Sequence, residues 1–260
     1  MGFYVHEKRL LINDKVYPDF EIEKEIGRGA NGCVFLAKNL LLDRIEAIKI
    51  WNKNREDDKR DKTKQALFES QKLARVDPQY AVQIFSIKNF EGYIVAHMEY
   101  FEGETLHDFI NDLSAKKTFC LLRQYLHVIE KTSSLSTFHG DAHAHNVLIK
   151  VATEDYETKV VLKLCDFGTS YFNGTESSFD RHWRVVEETI LKYTKKFIGF
   201  EDAKDLLNEY KNRLNEIILE NKEKLLQGDD SLYDSKLITA PYKDYLEYLE
   251  YRNGCIDYLK

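Results

Sequence analysis

The sequence predicts an α+β fold in two lobes, a strand-rich lobe in front and a mainly helical lobe behind. Three observations carry that expectation. The first hundred residues alternate with the two-residue period of half-buried strands. After about residue 104 the apolar positions recur at three- and four-residue steps instead. The 260 residues, 43% apolar and 32% charged, hold 12 Gly and only 3 Pro, which leaves little length for linkers, while 15 Phe and 16 Tyr supply bulky core material.

Taken in order, Phe20, Ile22, Lys24 and Ile26 alternate with acidic residues and predict a strand running into Gly27. Residues 33–37, 46–50, 82–87 and 93–100 are further short runs suited to strands. One helix interrupts them over 61–76, where Ala66, Glu69, Leu73 and Val76 share a face and Asp77-Pro78 ends the pattern. Leu121, Leu122, Tyr125, Leu126 and Ile129 carry helical spacing. Two short strands, 147–149 and 160–164, are separated by a polar connection rich in Glu, Asp and Thr. Amphipathic helices are expected over 180–195, 202–226 and 242–251. The compositional shift near 101–103 divides the chain into 1–101 and 102–260, with any cleft expected between them.

Charge excludes some partners. Thirty-eight basic against 44 acidic residues give a net −6, whereas broad binding to nucleic acid or to an anionic membrane needs a cationic excess. No apolar run approaches the ~20 residues of a membrane-spanning helix, and the first ten residues lack the apolar stretch of a secretory signal. His6 also breaks the myristoylation pattern that Gly2 would begin. Cys33, Cys120, Cys165 and Cys255 are too widely spaced for a disulfide framework or a Cys-rich zinc site. No nucleic-acid partner, no membrane insertion and a cytoplasmic location are therefore expected.

The chemistry-bearing residues begin with Ile26-Gly27-Arg28-Gly29-Ala30-Asn31-Gly32-Cys33-Val34, a G-x-G-x-x-G-x-V run. Glycines at this density let backbone N–H groups approach phosphate oxygens. A dinucleotide-binding turn would need a helix after Gly32, and a Walker A loop would need Lys and Ser or Thr there; Cys33 and Val34 instead open a strand. Alone, the run fits a ligand-free Gly-rich turn equally well. Seventeen residues after Gly32 stands Ala47-Ile48-Lys49, a lone Lys in an apolar strand, and a buried ammonium needs an anion. Glu69 on the following helix could supply it; the plainer alternative is a snorkelling Lys49 and a decorative Glu69. The densest cluster is His139-Gly140-Asp141-Ala142-His143-Ala144-His145-Asn146, and Asp166-Phe167-Gly168 follows Asn146 at twenty residues. One Asp can accept a proton from an attacking hydroxyl, while an amide oxygen and a second carboxylate can hold Mg²⁺ against nucleotide phosphates.

With these five collinear elements the chain resembles the protein-kinase-like superfamily over roughly residues 21–168. The resemblance implies a bilobal kinase fold, an antiparallel sheet in the first lobe and a shortened, mainly helical second lobe, in which 1–101 and 102–260 form a single catalytic unit, with ATP and Mg²⁺ as cofactors. It implies Asp141 as catalytic base, Lys49 paired with Glu69 on the α- and β-phosphates, and Asn146 and Asp166 as metal ligands. The nucleotide would be held by Ile26, Gly27, Gly29, Gly32, Val34, Ala47 and Lys49, with Met98 behind adenine and the backbone of Glu99 and Phe101 bonding the base.

Departures from the family pattern sharpen the expectation. Gly140 stands where the common loop has Arg, and His143 where protein kinases carry Lys. H-G-D-x-H-x-x-N is similar to the loop of aminoglycoside, fructosamine and lipopolysaccharide-core kinases. No Ala-Pro-Glu follows Gly168, after which 92 residues remain. The Gly-rich hairpin, the Ala-Ile-Lys strand and the short interval from Glu99 to His139 favour a compact Ser/Thr protein kinase of bacterial or atypical type. A small-molecule kinase is the first alternative. A pseudokinase binding module is the second, although the residues such proteins usually replace are present. A metallohydrolase reading, with His139, Asp141, His143 and His145 on one face of a strand, explains none of the other elements. Two weaker expectations remain: that Cys33 or Cys165 reacts with electrophiles, and that 181–184 (Arg-His-Trp-Arg) receives an acidic acceptor.

Overall fold

The computed structural model describes residues 2–29, 31–53, 62–111, 113, 115–132, 139–154, 157–167, 178–194 and 212. The chain divides into two compact units, Met1–Glu102 and Gly103–Lys260.

The first unit is built on a five-stranded antiparallel sheet. Its strands are β4 (Phe20–Gly29), β5 (Gly32–Asn39), β6 (Arg44–Trp51), β7 (Ile84–Phe90) and β8 (Tyr93–Glu99), in the order β4-β5-β6-β8-β7. Helix α1 (Lys62–Leu73) lies between β6 and β7 in sequence. Its Ala66, Glu69 and Leu73 are all buried, so the predicted face is the one that packs.

Register assigns each face of the sheet a task. Residues directly opposite on antiparallel strands share a face. Val34 lies opposite Gly27 and Lys49, and Ala47 lies opposite Leu36 and Met98. Because alternate residues point the same way, Ala47, Lys49 and Trp51 all belong to this face. Ile26 falls in a register shift between Glu25 and Gly27 and is 41% exposed. The other face carries Cys33, Phe35, Ala37, Ile48, Ile50 and Val95, which join one buried cluster with Leu10, Ile12, Tyr17, Phe20 and Ile22.

That cluster explains an element the sequence pattern hid. Residues 3–16 fold as a three-stranded antiparallel sheet of β1 (Phe3–His6), β2 (Arg9–Ile12) and β3 (Lys15–Val16). Two-residue turns join the strands, with Glu7, Lys8, Asn13 and Asp14 all at positive φ, the conformation whose twist suits a tight hairpin. Leu10, Ile12 and Tyr17 become 0%, 0% and 1% exposed. The Tyr17 hydroxyl lies 2.7 Å from His97 Nε2, and the Ser86 hydroxyl 3.1 Å from His97 Nδ1, so a buried imidazole joins the leading segment to β7 and β8.

The second unit opens with β9 (Glu104–Thr105) and α2 (Leu106–Ile110), where the Thr105 hydroxyl caps the helix by accepting from the Asp108 amide at 3.2 Å. Helix α3 (Ala115–Thr132) buries Leu121, Leu122, Tyr125, Leu126 and Ile129. The polar connection expected between two short strands is itself strand: β10 (Val147–Glu154) and β11 (Glu157–Leu164) form one long hairpin, with β9 added at the edge of β10. Antiparallel pairing satisfies the backbone whatever the side chains are, so the Glu, Asp and Thr content misled the reading. Helix α4 (Ser178–Thr194) covers most of the expected 180–195 helix; those over 202–226 and 242–251 lie outside the described residues, apart from position 212.

Candidate active site

In the first unit, Lys49 and Glu69 form a buried ion pair, 6% and 3% exposed. Their elements dictate it: Lys49 sits mid-strand on β6, flanked by Val34 and Ala96, and Glu69 sits on the packed face of α1. A third group, which sequence reasoning passed over, completes the cluster. The Trp51 indole Nε1–H donates to Glu69 Oε2 at 3.0 Å, and its ring centroid lies 4.8 Å from the Lys49 ammonium. The available signal was spacing, since Trp51 is two residues from Lys49 on one strand.

The glycines of the β4–β5 hairpin differ in what confines them. A Cβ on Gly29 would meet nothing within 4 Å, and one on Gly27 would make only ordinary contacts with Val34. A Cβ on Gly32 would stand 2.0 Å from the Ile50 carbonyl oxygen. Gly32 is therefore required by strand pairing, whereas Gly29 leaves its backbone open on the outside. Cys33 is fully buried, and burial followed by the Glu25 carboxylate pushes its thiol up to about 11, so its expected reactivity is not supported. At the end of β8, Met98 is 9% exposed; the Glu99 amide is used within the unit, donating to Gln83 O at 2.7 Å.

In the second unit, hydrogen bonds shape the loop before β10. His139 is buried, with its ring 4.3 Å from that of Phe167. Its Nδ1 accepts from the Asp141 amide at 3.2 Å, which leaves Nε2–H to donate to the Cys165 carbonyl at 2.8 Å. Burial holds this imidazole down to about 4, consistent with the neutral tautomer the two bonds require. The Asp141 carbonyl accepts from the His143 amide at 2.8 Å and from Asn146 Nδ2 at 2.9 Å, and Tyr125 of α3 donates its hydroxyl to Ala142 O at 2.6 Å.

The hairpin ladder then brings two predicted ligands to one end. Val147 pairs with Leu164, and the next step continues as Cys165 N–H to Asn146 O at 2.9 Å. Beyond it Asp166 takes φ 60°, a left-handed conformation that costs most side chains ~1 kcal/mol or more and that Asp tolerates better than most. Asn146 and Asp166 are thus adjacent at the same ladder end. Gly168 and the hydroxyl-bearing residues 169–177 lie outside the described residues, as do the side chains of 181–183.

The alternation of His139, Asp141, His143 and His145 does not make a metal face. Residues 139–143 are loop and 144–146 a single 3-10 turn, so the strand period does not apply. The rings do not meet at one point: His139 packs on Phe167, His145 stacks on His107 at 4.1 Å and meets the His143 ring edge-on at 5.7 Å, and among the described residues no three His, Cys, Asp or Glu converge on a metal position. His143 Nε2 instead lies 3.6 Å from Asp141 Oδ2. A cavity of about 310 Å³ adjoins Asp141, lined also by His143, His145, Arg184, Lys192 and Tyr193. Arg184, the one described side chain of the 181–184 basic group, pairs with Glu188 at 3.0 Å.

Two buried neutral imidazoles give a pH dependence. Burial is the first cause of depression for both His97 and His139, each brought down to about 4 from about 6.5. The unfolded chain binds their protons first, so the stability they contribute is full above about pH 6.5 and is lost as pH falls toward 4. A melting temperature lower by several degrees at pH 5 than at pH 7 is expected at constant ionic strength. An unchanged midpoint would contradict the neutral hydrogen-bonded assignment.

Comparison with known proteins follows the same residues. The family model described as "Protein kinase domain" matches residues 20–197, more than half of the chain. The serine/threonine-protein kinase PrkC of Bacillus subtilis is 28% identical over 162 residues, which is 61% of this chain and 24% of the relative. A probable serine/threonine-protein kinase of Dictyostelium discoideum is 26% identical over 179 residues, covering 66% of this chain and 37% of the relative. The serine/threonine-protein kinase MRCK beta of Rattus norvegicus is 32% identical over 155 residues, 58% of this chain and 9% of the relative. The match thus spans less than two fifths of each of these relatives. Strands β1 to β3 fall outside the residues the family model matches.

Proposed function

The chain belongs to the protein kinase domain family, and from that premise we propose that it transfers the γ-phosphoryl of ATP to a hydroxyl, a Ser or Thr of a protein being the acceptor. The observation that carries this reading is the end of the β10–β11 ladder, where Asn146 and Asp166 are adjacent and the Asn146 amide bonds the Asp141 carbonyl. On this reading 1–101 and 102–260 act in a single reaction.

Asp141 orients the acceptor hydroxyl and takes its proton at a carboxylate oxygen. Lys49, held by Glu69, offsets charge on the α- and β-phosphates, and the backbone of Gly27, Gly29 and Gly32 covers them. Val34, Ala47 and Met98 give adenine an apolar seat, Ile26 covers it, and the backbone of Glu99 and Phe101 bonds its edge. Asn146 and Asp166 suit a hard divalent cation: Asn146 Nδ2 is committed to the Asp141 carbonyl, so the oxygen is its coordinating end, and Asp166 adds a carboxylate. Mg²⁺ is the proposed ion, which when bound neutralises phosphate charge.

A small-molecule acceptor is the second reading. The cavity beside Asp141, at about 310 Å³, is at the lower end of small-molecule sites, and its Arg184 and Lys192 could take a polar acceptor. Transfer of labelled γ-phosphate into cell extract, split into protein and small-molecule fractions, tests both. Label in protein supports the first reading, label only in small molecules supports the second, and Mg²⁺-ATP binding without label in either fraction supports the pseudokinase reading. Among the described residues no helix is long and apolar enough to cross a membrane.

A further inference from the structure

Strand geometry makes Lys49 and Trp51 neighbours on one face of β6, two residues apart, and both meet Glu69 of α1. All three are buried: Lys49 is 6%, Trp51 3% and Glu69 3% exposed. Each touches the other two. Glu69 Oε1 takes the Lys49 ammonium, Glu69 Oε2 takes the Trp51 indole N–H at 3.0 Å, and the ammonium sits 4.8 Å from the indole centroid.

We propose that Trp51 is a positioning residue for phosphotransfer, a donor that fixes the Glu69 carboxylate so that its other oxygen faces Lys49. This rests on the phosphotransfer reading. The physical reason is rotational. The terminal torsion of a Glu side chain is broad, so a carboxylate paired through one oxygen can swing about its last bond. A second donor on the other oxygen sets that angle, and through it where the ammonium is held. The donor is also neutral. A second cation there would share the carboxylate with Lys49, whereas an indole N–H satisfies the oxygen without competing in charge and its ring face attracts the ammonium. Fixing the ammonium matters because a displacement of about 1 Å at a positioning group can cost on the order of a hundredfold in rate.

The test is a double-mutant cycle read on kcat/KM with Mg²⁺-ATP. Trp51→Phe keeps an aromatic ring and removes the donor. It should lower kcat/KM about tenfold in the otherwise unchanged protein, and less than about twofold in a Glu69→Ala background, where no carboxylate remains to be positioned. An equal loss in both backgrounds would mean Trp51 acts only by filling space and would overturn the proposal. Should Trp51→Phe melt too low to assay, benzothienylalanine at position 51, which keeps the bicyclic shape and replaces N–H by sulfur, is read by the same criterion. In parallel, the ¹⁵N-indole resonance of Trp51, identified by its loss in Trp51→Phe, should move in Glu69→Ala; a resonance that stays in place contradicts the hydrogen bond. If the protein binds Mg²⁺-ATP yet transfers nothing, the phosphotransfer reading fails by itself. The cycle is then read on the ATP dissociation constant, with coupling supporting the Trp51 arrangement and additivity overturning it.

Discussion

Asp141→Asn is expected to bind Mg²⁺-ATP as the unchanged protein does and to lose all but about one part in 10²–10⁴ of its turnover, the range that removing a general base produces. The substitution is nearly isosteric and leaves the local scaffold in place. The bonds that shape the loop use the backbone of Asp141: its amide donates to His139 Nδ1, and its carbonyl accepts from the His143 amide and Asn146 Nδ2. What disappears is the oxygen that takes the proton of the acceptor hydroxyl. Retained affinity follows because the groups proposed for the phosphates and adenine, Lys49 and the Gly27 to Gly32 hairpin among them, are untouched. The measurements are the ATP dissociation constant, the melting temperature and the single-turnover rate of phosphate transfer. A folded Asp141→Asn variant that transfers phosphate within tenfold of the unchanged rate would remove Asp141 from the role of base.

Groups whose chemistry is costly unless partnered were legible in the sequence. A Lys inside the apolar run Ala47 to Ile50 is costly without an anion, and the helical face of Glu69 offered one; the burial of both side chains decides for the ion pair over a snorkelling Lys49. The loop from His139 to Asn146 was legible as a cluster of functional groups but not as a shape. Only the metal reading, which the other elements already disfavoured, put the imidazoles on one face; the folded loop turns His139 into the interior against Phe167, and the 3-10 turn carries His145 toward His107. Period arguments hold only within a regular element, and no local residue type announced that this one was absent.

The leading sheet was illegible for a related reason. Strands of two to four residues, as in Phe3 to Val16, are shorter than the window in which a period can be counted, and Glu7-Lys8 are not residues that usually mark a tight turn. Its place over Phe35, Ile48 and Val95 comes from tertiary burial of Leu10, Ile12 and Tyr17. Trp51 lies just past the expected 46–50 strand and was passed over, because nothing in a linear sequence says that its one polar atom will reach a carboxylate on the next helix.

The glycines separate folding from ligand approach in a way that sequence could not. All three match one motif, yet Gly32→Ala and Gly29→Ala should behave in opposite ways. A methyl at Gly32 would stand 2.0 Å from Ile50 O, 2.9 Å from Ile50 C and 3.0 Å from the Trp51 Cα, all backbone of the paired strand, so no side-chain rotation can relieve the overlap. β5 and β6 must move apart where Gly32 pairs with Trp51, at a cost of about 3 kcal/mol and a fall of about 10 °C in melting temperature. A methyl at Gly29 meets nothing within 4 Å and Gly29 is not held at positive φ, so the melting temperature should stay within about 2 °C. If this backbone covers phosphate, that same methyl occupies the space of approach, and the ATP dissociation constant should rise about tenfold or more. The pair is read by thermal melting without nucleotide and by titration with Mg²⁺-ATP. A Gly29→Ala protein with unchanged nucleotide affinity would deny the hairpin its phosphate-covering role. A Gly32→Ala protein as stable as the parent would mean that β5 and β6 are not paired in this register.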